Sequence, residues 1–158
     1  MTSNAIMTIP VVVGSNPPVF RGGGSAQAGA GSATVNMSAT AQSGDFLIAG
    51  VAIDDSAATV TWGNGLTQND VLTLTHGDGQ RIMWASKVAG GSEPSSYVIT
   101  MSSGADAVAF VLAYSGVNAV PLDGTPTSNA SGANEGSPWS VTALGLASGA
   151  ANRLRIMI

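Results

Sequence analysis

The feature that most constrains this chain is the period of its apolar residues. They recur at every second position, and no window of about a dozen residues carries a 3.6-residue apolar stripe free of Gly or Pro. A strand sends successive side chains to opposite faces, whereas a helix brings a face round every three to four residues, so the pattern predicts strands and almost no helix. Val35, Met37 and Ala39 alternate with Thr34, Asn36 and Ser38. The segments 58–62, 71–75, 81–88 and 97–101 read the same way. In 81–88, Ile82, Trp84 and Val88 share one face while Arg81 and Lys87 point to the other.

Two runs are apolar at nearly every position: 46–53, and 106–114, where Phe110, Leu112 and Tyr114 oppose Val111. A strand that is apolar on both sides must be covered on both sides, which predicts one such strand in the middle of each of two stacked sheets. Trp139, Val141 and Ala143, then Leu154, Ile156 and Ile158, supply two more strands.

Between these runs lie turn signals. Asn64-Gly65 predicts a hairpin, because both residues tolerate positive φ, and His76-Gly77-Asp78-Gly79 predicts a second hairpin tip. The stretches 14–31 and 121–137 are rich in Gly, Ser, Ala and Pro and read as loop or linker. The expected fold is therefore all-β: an antiparallel two-sheet β-sandwich, jelly-roll or Ig-like, of about nine strands with an N-terminal arm. At 158 residues the chain has the size of one domain. An apolar arm and Gly-rich linker over 1–32 would precede a sandwich domain over 33–158.

Only 9% of residues are charged, against roughly 25% in a typical soluble domain, so Ser, Thr, Asn and Gln must supply the polar surface. Such a neutral surface suits packing against copies of itself or another protein. With a net charge of −4 and five scattered basic residues, a phosphate-tracking surface is not expected, since nucleic-acid affinity comes largely from Lys and Arg. No apolar stretch reaches the roughly 18 residues of a membrane-spanning helix. The N-terminus lacks the basic region of a secretory signal, and Pro10 interrupts its apolar run, so the chain is expected to stay where it is made.

Candidate chemistry is sparse. Without cysteine there is no thiolate nucleophile, thiolate metal site or disulfide framework. His76, the single histidine, sits at a Gly-flanked tip, a solvated place for a residue that a catalytic triad would need held beside a Ser and an acid. No Gly-x-Ser-x-Gly elbow occurs, and the Gly runs at 22–24 and 29–31 match no phosphate loop. No catalytic, cofactor or metal residue is assigned, and an enzyme is not expected. One group of polar loop residues stays open as a ligand site: Asp54, Asp55, Trp62, His76 and Asp78. With Asp123, these acids can converge at one end of a sandwich around Ca²⁺ or a sugar, although adjacent acids after a strand are also ordinary turn residues.

Certain motifs carry a family resemblance. Gly44-Asp45-Phe46-Leu47-Ile48-Ala49, Ala58-Thr59-Val60-Thr61-Trp62, Trp84-Ala85-Ser86-Lys87-Val88-Ala89 with Ser92-Glu93-Pro94-Ser95-Ser96-Tyr97, and Ala113-Tyr114-Ser115-Gly116-Val117 before Pro121-Leu122-Asp123 together resemble a β-sandwich module of tailed-bacteriophage virion proteins, decoration and fibre-like, also seen in some bacterial surface proteins. The likeness spans about 33–158, and its motifs mark folding positions rather than a site. It implies a virion structural protein, most simply a decoration or cement protein on the capsid surface. Such a protein is made in the host cytoplasm and holds the major capsid protein or other virion proteins by multivalent contact, as a homo-oligomer such as a trimer. The alternative it implies is a receptor- or carbohydrate-binding module of a tail fibre or cell-surface protein, with a glycan as partner. Two departures stand out: Trp62-Gly63-Asn64-Gly65-Leu66 replaces a Pro-Gly-Trp-rich turn, and the module usually continues past the strand that here ends at Ile158.

The two ends of the chain are the expected assembly elements. Ile6, Met7, Ile9, Val11, Val12 and Val13 form an apolar, β-prone arm that must bury itself somewhere, on its own domain or by adding a strand to an open edge. The last strand, with Arg153 and Arg155 on one face, offers such an edge.

Overall fold

The computed structural model describes residues 5–13, 18–29, 31–74, 79–122, 127–130 and 153–157. Every regular element among them is a strand: β1 (Ala5–Val13), β2 (Val19–Ala28), β3 (Ser32–Asn36), β4 (Phe46–Ile53), β5 (Val60–Trp62), β6 (Thr67–Leu74), β7 (Gln80–Val88), β8 (Ser96–Met101), β9 (Ala107–Ser115), β10 (Val117–Leu122), β11 (Thr127–Ala130) and β12 (Arg153–Met157). One sheet runs β2-β9-β4-β7-β6 and a second runs β3-β8-β5, with antiparallel pairing throughout. A further sheet gathers β10, β11 and β12 around β1.

The five- and three-stranded sheets form a β-sandwich-like pair of layers around one core. Leu47, Ala49, Val51 and Ile53 of β4, Met83 and Ala85 of β7, and the alternate residues Ala107, Ala109, Val111 and Ala113 of β9 supply one side. Ala33 and Val35 of β3 and Tyr97, Ile99 and Met101 of β8 supply the other. Each large side chain here adds about 1.5–3 kcal/mol by leaving water. The second face of β4 is covered along its first part, with Phe46, Ile48 and Trp84 of neighbouring β7 fully buried, but not at its end, where Ala52 is exposed. The second face of β9 is likewise open at Val108, so the covering expected on both sides of both apolar runs is only partial. Gly50 lies between Ile48 and Ala52 on this face of β4 because the Phe110 ring occupies the space where its Cβ would stand, 2.4 Å away.

Several expectations are corrected. The glycine-rich stretch read as loop or linker contains β2, which pairs with β9 from Val19↔Ser115 to Ala28↔Ala107. Its glycines serve close approach rather than flexibility. A Cβ on Gly24 would fall 1.9 Å from the Asn36 carbonyl oxygen, and one on Gly22 would fall 2.9 Å from the backbone of Ala39. The segment after β3 crosses at this distance and is tied there, with the Ser38 amide donating to the Gly23 carbonyl (3.0 Å) and the Gly23 amide to Ser38 Oγ (3.1 Å).

The two double-sided strands, expected in separate sheets, are neighbours: β9 pairs directly with β4. Both are interior because β2 takes the edge beyond β9, a strand that apolar periodicity does not reveal. Asn64 and Gly65 do adopt positive φ (59° and 74°), and the Leu66 amide closes the turn on the Gly63 carbonyl at 3.3 Å. Yet the strands they join do not form a hairpin, since β5 pairs with β8 and β6 with β7. Buried Leu66 draws the chain through the core from one sheet to the other. The second hairpin holds, with Leu74 opposite Gln80, while its tip at 75–78 lies outside the described residues. Part of the long loop expected over 121–137 is instead strand, the end of β10 and all of β11, so twelve strands are described rather than about nine. The strand expected over 139–143 lies outside the described residues.

Candidate functional site

Two buried polar constellations account for most of the charged residues in the resemblance motifs. Asp45, buried at the entry to β4, accepts from Arg21 Nε at 2.8 Å and Arg21 Nη2 at 3.3 Å, and from the Gln42 amide at 2.8 Å. Arg21 belongs to β2, so the pair bolts the edge strand to the start of the central one. At the other end of the motif series, the Glu93 carboxylate receives Lys87 Nζ (2.9 Å), the Tyr97 hydroxyl (2.8 Å) and the Gly90 amide (2.8 Å). Burial pushes the Glu93 carboxyl up, but the bonds from Lys87, Gly90 and Tyr97 outweigh it and hold the group below its usual range. Burial, followed by the same carboxylate, drives the Tyr97 hydroxyl well above its normal value, so it stays a neutral donor. Lys87 also donates to the Asn64 carbonyl at 2.7 Å, fastening the 63–66 turn. These groups saturate one another, which makes them fold-holding charges.

Of the residues left open as a ligand site, the described ones, Asp54, Asp55 and Trp62, take different settings. Asp55 makes an ordinary turn: its Oδ1 accepts from the Ala57 amide at 2.7 Å, and that bond is the chief reason its carboxyl titrates below the usual range. Trp62 packs partly buried against the core, with Nε1 donating to Gln68 Oε1 at 3.1 Å. His76, Asp78 and Asp123 lie outside the described residues. Among the described residues, no group of three or more acids or histidines is placed to hold a metal ion.

Asp54 has a different setting. It lies at the end of β4 beside a cavity of about 560 Å³ built from four adjacent strand ends: Gln27-Ala28-Gly29, Asp106-Ala107-Val108, Ala52-Ile53-Asp54 and Gln80-Arg81-Ile82. Register places Gln27, Val108, Ala52 and Ile82 in one row across the sheet, so side-chain alternation sends them to one face. Asp54 and Asp106 stand at the cavity's end as neighbours, the Asp54 amide donating to the Asp106 carbonyl at 3.0 Å. Gln80 Nε2 reaches Asp54 Oδ1 at 3.4 Å, and Arg81 donates to the Ala58 carbonyl at 2.5 Å.

Protein-family models, curated proteins and solved structures were compared with the chain, and none matches. What the site can do therefore rests on its own geometry. Gln27, Gln80 and Asp106 were not singled out by the sequence, because a lone amide or acid at a strand end has no spacing signature. Only the neighbouring strand ends reveal that they share a cavity with Asp54.

The proposed assembly elements lie together in one sheet. Ile6, Met7, Ile9, Val11, Val12 and Val13 are on β1, and Arg153 and Arg155 on β12, which pairs with β1 from Thr8↔Met157 to Val12↔Arg153. β11 pairs with Ala5–Thr8 and β10 with Val11 and Val13. The arm and the last strand thus meet each other within one chain.

Proposed function

We propose that the chain is a non-enzymatic structural protein of a tailed-phage virion, a capsid decoration or cement protein with a jelly-roll or Ig-like sandwich, acting as a homo-oligomer on the major capsid protein. The observation that carries this reading is exposed apolar surface at the start of β2, where Val19 and Phe20 alternate faces and Phe20 shares its face with Tyr114. Val19 and Phe20 are 58% and 55% exposed, and Phe20 stands edge-on to Tyr114 at 5.6 Å. Aromatic residues are enriched at the buried centre of a protein interface and charged ones depleted; the Arg21 charge next to Phe20 is taken up by Asp45, and the low charge of the whole chain suits the same use. Many copies with one modest interface each would add up to a stabilised shell.

The test is retention on purified particles that lack the protein. Stoichiometric binding is expected, in hundreds of copies per particle on the order expected for a shell lattice. Phe20→Asp should abolish binding while leaving thermal unfolding near that of the parent. Binding of only a few copies, or retention unaffected by Phe20→Asp, would overturn the reading.

A further inference from the structure

The cavity across the ends of β2, β9, β4 and β7 is lined in part by the core residues Ile53 and Ala107 and in part by exposed ones, Ala52, Asp54, Asp106 and Val108. Its volume of about 560 Å³ falls within the roughly 300–1,000 Å³ typical of small-molecule sites. Its floor is apolar and open: Val108 is 49% exposed, and Ala52 and Ile82 adjoin it in the same row. Its rim is polar and mixed. Asp54 and Asp106 accept hydrogen bonds, while the Gln27 and Gln80 amides both donate and accept. Like charges on adjacent strands cost stability, yet Asp54 and Asp106 are set side by side and both exposed.

We propose that this cavity is a saccharide-binding site for a neutral sugar unit. The C–H face of the sugar ring would lie on Ala52, Val108 and Ile82, and its hydroxyls would donate to Asp54 and Asp106 and exchange hydrogen bonds with Gln27 and Gln80. The chemistry selects this class. Among the described residues, two carboxylates against one guanidinium leave the rim net negative, which disfavours phosphates and acidic sugars. The absence of a third acid or histidine beside them among the described residues disfavours a tightly held metal ion. A patch joining apolar floor to paired acceptors and amides fits a ligand that is apolar on one face and hydroxylated around its edge. No aromatic ring lines the cavity among the described residues, so the binding is weak for a single site.

The experiment uses the full chain in two stages. A glycan array of neutral and acidic sugars identifies the preferred unit. Amide chemical shifts are then followed while glucose, galactose, N-acetylglucosamine, the array's preferred sugar, Ca²⁺ and spermidine are each titrated in separately. Saturable shifts with a neutral sugar, confined to residues 27–29, 52–54, 80–82 and 106–108, are expected. Asp54→Ala and Asp106→Ala should each weaken binding about tenfold, the loss of one hydrogen bond to a charged acceptor, with melting temperatures no lower than the parent's, since each removes one of two adjacent like charges. Asp55→Ala, whose side chain serves a turn outside the cavity, should bind as the parent does. Preference for acidic glycans, shifts at these residues with Ca²⁺ or spermidine and not with sugar, indifference to the two variants, or no saturable shift would each overturn the proposal. Particle retention is measured separately and with Phe20→Asp, so the two readings fail independently.

Discussion

At the scale of single residues, the most consequential side chain is Glu93. Its carboxylate is 2% exposed and collects Lys87, Tyr97 and the Gly90 amide, joining the end of β7, the following turn and β8. Glu93→Gln keeps the shape but removes the charge that Lys87 and Tyr97 are placed to meet. The variant should lose roughly 1–3 kcal/mol near neutral pH, the range for losing hydrogen bonds to a buried charged group. The sign of the pH effect follows from the lowered titration of this carboxyl. A group that binds its proton less readily folded than unfolded contributes stability above the unfolded value, 4.5, and that contribution disappears as pH falls through the folded value. Urea unfolding across the acid range should therefore bring parent and variant together as pH drops below 4.5. Curves that stay parallel over that range would remove Glu93 from its assigned role.

At the scale of elements, β2 shows how a glycine-rich segment becomes a sheet strand. Its apolar signal is weak because the residues at its crowded points have no side chain at all: Gly23 lies under Leu112, and Gly24 against the Asn36 carbonyl. What holds it is the ladder to β9, the Arg21–Asp45 pair and the crossing at Ser38. Gly24→Ala should thus destabilise the protein by about 1–3 kcal/mol through overpacking against fixed backbone. Gly91→Ala, where a Cβ meets nothing within 4 Å, should change stability by less than about 0.5 kcal/mol. Chemical denaturation of both variants is the check, and equal midpoints would mean that the segment is not packed as a strand.

At the scale of the whole molecule, β1 and β12 pair in one sheet with β10 and β11, separate from the five- and three-stranded sheets in its hydrogen bonding. If this sheet serves assembly, deleting residues 1–14 should abolish oligomers or particle binding while the main melting transition, set by the core between the other two sheets, stays nearly unchanged. A large fall in melting temperature with assembly retained would make β1 an ordinary structural strand. The sequence by itself determined the strand character of most of the chain and the covering of the first part of β4 on both faces. It also determined the positive φ of Asn64 and Gly65, because alternation and steric tolerance are local properties. Tertiary structure decided which strands are neighbours. An Asn-Gly turn specifies a reversal of the chain, but buried Leu66 decided that the reversal leads into the other sheet, and backbone contact at Gly24 turned an apparent linker into an edge strand. The cavity was likewise invisible in advance. Gln27, Asp54, Gln80 and Asp106 are as much as 79 positions apart in the chain, and only the register of four strands places them around one space.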